Sequence, residues 1–131
     1  MTLASRALTQ LASWPDLAEA PASCDTGRAL CSAEGEIVHF HSDRDVDLHL
    51  TSRAIGRIEA DLVTSPAVRL VPGSHWVTLR LSTDRDIDLL MTLVSLALQT
   101  HHRWPVPADI PPAGCNDRLG AALTRETFGG C

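Results

Sequence analysis

The 131-residue chain has no lysine and no tyrosine, and its eleven basic residues are all arginine. Sixteen acidic residues leave it a formal net charge of −5. Phosphate binding needs a concentrated basic face, so scattered arginines on an acidic chain argue against nucleic acid as the main partner. No apolar run approaches the ~20 residues that cross a bilayer, so no membrane partner is expected. The opening stretch MTLASRALTQLASWPDL is apolar at intervals rather than continuously, unlike a signal peptide, and the cytoplasm is the expected compartment. The four cysteines, Cys24, Cys31, Cys115 and Cys131, include no CxxC pair. A zinc site of cysteines alone is therefore not expected, and in a reducing compartment all four should be free thiols. Were the chain exported, Cys24 and Cys31 would be the two to close across a hairpin.

What is present reads as one domain. Leu3, Ala7, Leu8, Leu11 and Trp14 recur at helical spacing and predict a helix over 2–14, stopped by Pro15. Short runs separated by turn signals then predict four strands: Ala22 to Cys24, Arg28 to Ser32, Glu36 to His41 and Val46 to Leu50. Thr51 or Ser52 caps a second helix carrying Ile55, Ile58 and Leu62, weakened by Gly56. Two more strands follow, Ala67 to Val71 and Trp76 to Leu81, joined through the Pro72-Gly73-Ser74 turn. A last helix begins at Ser82-Thr83, with Asp84, Asp86 and Asp88 suited to its positive dipole end. Its apolar residues run nearly all round, which requires cover on two sides or a homodimer interface over 83–100. The expected fold is a single α+β domain over residues 1–100: a mostly antiparallel sheet of five to six strands with three helices packed mainly on one face. A Pro/Gly-rich tail is expected over 101–131.

The segment GEIVHFHSDRDVDLHL, residues 35–50, holds three of the six histidines and three aspartates. Alternation places Ile37, His39 and His41 on one strand face and Glu36, Val38 and Phe40 on the other; on the next strand Asp45, Asp47 and His49 oppose Val46, Leu48 and Leu50. A hairpin loop of three or five residues brings His39 and His41 onto the same face as Asp47 and His49, whereas a two-residue loop separates them. In the first register three readings fit. The imidazoles His39, His41 and His49 form a metal site with a carboxylate in support; histidine beside aspartate performs metal-free acid–base chemistry; or the side chains are an ordinary polar strand face.

The order of motifs, GEIVHFH, VDLHL, a helix, LVPGSHWVTLRL and DIDLLMTLVSLAL, resembles the luciferase-domain family, small bacterial proteins related to the fungal bioluminescence luciferase. Glu36, His39, His41, Asp47, Pro72, Ser74 and Trp76 stand at that family's motif positions. Val68 and Arg69 occupy the place where the family has histidine, His75 replaces a glycine and His49 a proline. The resemblance implies catalytic His39, His41 and Asp47 in a pocket supported by Glu36, and an oxidation of a polyphenol- or polyketide-like small molecule. Such chemistry requires either no cofactor or a single divalent metal. Substrate contacts are expected from Glu36, Arg69, His75 and Trp76, with Trp76 alternatively a core aromatic and Arg69 and Arg80 alternatively solvated. A metal-storage role would need a fourth ligand from His49, His75 or Cys24. The alternative function is a non-catalytic ligand-binding or protein-interaction module. His101-His102-Arg103-Trp104 is expected to serve the negative end of the last helix.

Overall fold

A computed structural model describes residues 2–21 and 27–104. Helix α1 spans Leu3–Ala12, with the Thr2 hydroxyl accepting from the Ser5 N–H. It ends before Pro15 can force the preceding residue out of helical geometry. Strands β1 (Ala18–Pro21), β2 (Arg28–Ser32), β3 (Gly35–Phe40) and β4 (Asp45–His49) follow as a meander. Strand β1 was not expected from the sequence, and the strand expected at Ala22–Cys24 lies outside the described residues. Helix α2 (Ser52–Leu62) leads to β5 (Val68–Leu70), β6 (Trp76–Arg80) and helix α3 (Asp84–Arg103). The six strands form one antiparallel sheet in the order β1-β2-β3-β4-β6-β5. This is the α+β domain the patterning predicts.

Helix α3 is anchored by Asp86, whose carboxylate accepts from the Ser82 and Thr83 N–H groups at 2.7 and 2.9 Å. It runs to Arg103, three residues beyond its expected end at residue 100, and His101 is buried on it. The tail reading from residue 105 onward lies outside the described residues.

One sheet face meets the helices. Val38, Phe40, Val46, Leu48, Val77 and Leu79 pack there with Ala7 and Leu11 of α1 and Ile87, Leu90 and Val94 of α3. Leu89, Met91, Leu96 and Leu98 of α3 are partly buried against this core. Burying a Leu or Val side chain contributes ~1.5–3 kcal/mol, which makes this two-layer contact the main stabilising term.

Two expectations are corrected here. Cys31 is disulfide-bonded, not a free thiol. Ile37 belongs to the helix-facing core and not to the face of His39. The cause is a bulge: Leu30 pairs with Val38 but Cys31 with Glu36, so Ile37 is an extra residue in β3. An extra residue inverts the alternation on one side of itself.

Candidate functional site

The hairpin between β3 and β4 decides the histidines' fate. The His41 N–H donates to the Asp45 carbonyl at 3.2 Å, leaving residues 42–44 as a three-residue loop. Ser42 closes it locally, its hydroxyl accepting from the Arg44 and Asp45 N–H groups. His39 consequently lies opposite Asp47, Asp47 opposite Thr78, and Thr78 opposite Arg69. Ala29 completes the row beside His39. This row lies on the sheet face away from the main core.

Two histidine–carboxylate pairs form on it. The His39 Nε2–H donates to Glu36 Oε1 at 2.9 Å, a contact that exists because the bulge turns Glu36 onto this face. The His41 Nε2 lies 3.3 Å from Asp47 Oδ2. Asp47 is held in turn by the Thr78 hydroxyl, which donates to Oδ1 at 2.6 Å. The two imidazoles meet edge-on with centroids 5.6 Å apart. His39 is 1% and Asp47 2% exposed, so these polar groups sit where unpaired charge is expensive and pairing is required.

Trp76 packs on the same face with Ala29 and Cys31. Its indole is 4.6 Å from the His39 ring and stacks on His49 at 4.7 Å and 12°. Its backbone N–H donates to the buried Ser74 hydroxyl at 3.0 Å, fixing the turn before it. Trp76 is thus a buried aromatic whose ring meets imidazoles. Next to it, Thr51 is held at φ 76°, a region β-branched residues rarely adopt, with its N–H donating to the His75 carbonyl at 2.9 Å.

His49 begins a second cluster at the end of β4. The His101 ring packs edge-on against it at 4.5 Å and donates from Nε2 to the His49 carbonyl at 3.0 Å. That leaves His101 Nδ1 buried with no hydrogen-bond partner among the described residues. His75 is exposed, its ring 6.3 Å from that of His49. Burial, and then the neighbouring His101, lower the His49 pKa to about 3; burial likewise lowers that of His101. Both rings are therefore neutral at pH 7, and His101 supplies no cation to the end of α3, contrary to expectation.

The proposed metal set of His39, His41 and His49 does not converge. Among the described residues no group of three or more His, Cys, Asp or Glu side chains is placed to hold a metal ion. Trp76, touching both His39 and His49, occupies that common ground. Glu36, His39, His41 and Asp47 lie together, Glu36 against the alternation that set it on the opposite face, because the bulge at Ile37 turns it toward His39. Arg69 and Arg80 are exposed. Sequence reasoning missed Thr78, although its alternation with Trp76 and Arg80 on β6 was a usable signal. It missed the role of His101 altogether, because nothing local links α3's last turn to β4.

A family model for the Luciferase domain matches residues 34–97. That span contains Glu36, His39, His41, Asp47, Ser74, Trp76 and Thr78, every residue of the buried polar row and its tryptophan turn except Ala29 and its immediate surroundings on β2. No curated protein and no solved structure matches the chain. The motif order and the sheet agree with this match, and residues 34–97 of the chain are similar to the luciferase domain.

Proposed function

We propose that this chain acts on a small polyphenol- or polyketide-like molecule by histidine acid–base chemistry that prepares it for oxidation. The observation that supports this most is the pair of histidine–carboxylate contacts side by side on β3, His39 with Glu36 and His41 with Asp47. A carboxylate on one imidazole nitrogen sets the tautomer and stabilises the imidazolium formed on proton uptake. His39 and His41 are the proton-handling groups in this reading. Asp47 orients His41 and is itself oriented by Thr78; Glu36 does the same for His39. Exposed Arg69 and His75 provide the contacts to substrate, and Trp76 positions His39. Removing a proton from an electron-rich hydroxyl makes the molecule easier to oxidise by dioxygen.

A binding module is the second reading, favoured by one observation. Cavities of about 840 and 250 Å³ lie elsewhere on the fold, one lined by Leu17, Cys31, Glu34 and Leu98 and the other by Arg53, Arg57, Leu96 and Trp104.

The test is oxygen consumption and solvent-deuterium incorporation with a panel of hydroxylated pyrones and phenols. Asp47→Asn, which keeps the shape and the Thr78 contact, should lower turnover ~10²-fold or more, the usual worth of a general base. Wild-type turnover unaffected by Asp47→Asn and His41→Gln would overturn the assignment, and binding without any turnover would favour the module.

A further inference from the structure

A second site lies away from the histidine row, in a groove between α2 and the last turns of α3. Arg53 and Arg57 line it from α2 and Arg103 from α3, with Ile58 and Leu96 as apolar floor and Trp104 as wall. Its volume is about 250 Å³. None of the salt bridges formed among described residues engages these three guanidinium groups.

Their arrangement works against the chain's own stability. Arg53 and Arg57 are i,i+4 neighbours of like charge, a destabilising pair on a helix surface. Arg53 also lies in the first turn of α2, which has no acidic residue, so a cation stands at the positive end of the helix dipole. Arg53 and Arg103 both sit over the Trp104 ring, their guanidinium carbons 4.2 and 5.3 Å from its centroid. Trp104 is one of two large apolar residues left exposed among the described residues. A concentrated positive charge over an apolar cleft, on a chain of net charge −5, is complementary to an anion with an apolar body.

We propose that this groove binds a small organic anion of the medium-chain carboxylate class, its acid group held by Arg53, Arg57 and Arg103 and its hydrocarbon on Ile58, Leu96 and Trp104. A groove slightly below the usual ~300–1,000 Å³ of ligand pockets suits a molecule of roughly ten non-hydrogen atoms. The site is independent of the catalytic reading above and stands or falls without it.

The experiment is calorimetric titration of the full chain with sodium octanoate, set beside octanol, octylamine and sodium phosphate. One octanoate per chain should bind, with no binding of octanol or octylamine. The Arg53→Gln/Arg57→Gln double variant, altered only at exposed helix positions, should bind roughly tenfold more weakly with an unfolding midpoint no lower than that of the wild type. Equal binding of octanoate and octanol would overturn the proposal, because charge would then play no part. So would competition by phosphate as effective as octanoate itself, unchanged affinity in the double variant, or no heat of binding at millimolar octanoate.

Discussion

At the residue scale, the most consequential feature is the neutral pair His49 and His101. Their pKa values are lowered in the fold, so at acid pH the unfolded chain takes up protons that the folded chain refuses. Stability is therefore fully present above the unfolded value of 6.5 and is lost as pH falls toward the folded value of about 3 for His49. At ~1.4 kcal/mol per pKa unit, the His49 contribution alone reaches roughly 5 kcal/mol at the acid end. Denaturant midpoints measured from pH 7.5 down to pH 4 should fall, and His49→Gln should flatten the slope. An unchanged slope would mean that carboxylates, not this cluster, set the acid limit. The identity of these residues was visible in the sequence. Their burial was not, since His49 and His101 are 52 positions apart and meet only in the folded chain.

At the element scale, two glycines test how the strands and helices are set. Gly27 has φ 81°, and a Cβ added there would lie 1.8 Å from the Phe40 carbonyl oxygen, a backbone atom that cannot step aside. Gly27→Ala should cost ~2–4 kcal/mol by forcing β2 away from β3, the strand that carries His39. Gly56, in the middle of α2, would meet nothing within 4 Å. Gly56→Ala should stabilise by ~0.5–1 kcal/mol through helix propensity. Thermal unfolding of both variants checks the opposite signs. Most element positions followed from periodicity, capping and turn chemistry. Two places did not: the bulge at Ile37, where an apolar residue fits either face, and the first strand, whose Ala18–Pro21 segment has no alternation to announce it.

At the scale of the whole molecule, the sheet separates two environments, an apolar layer under the helices and a buried polar row on the opposite face. The disulfide at Cys31 belongs to that second face, in contact with Ala29 and Trp76. Since a disulfide uses two thiols, thiol titration of the denatured but unreduced protein should find at most two of the four cysteines free. Reduction should lower stability by ~2–4 kcal/mol. Four free thiols under non-reducing conditions would contradict the structure.

The sequence by itself determined the α+β class, the helix caps, the helix-facing strand residues and the motif order that resembles the luciferase-domain family. Each of these depends on neighbours within a few positions, where periodicity and turn chemistry act. Only the tertiary structure decided which carboxylate serves which histidine. The three-residue loop after His41 set the register with Asp47, and the bulge at Ile37 carried Glu36 across to His39. A shift of one residue at either place would have put the same side chains on opposite faces, because strand side chains alternate with a period of two.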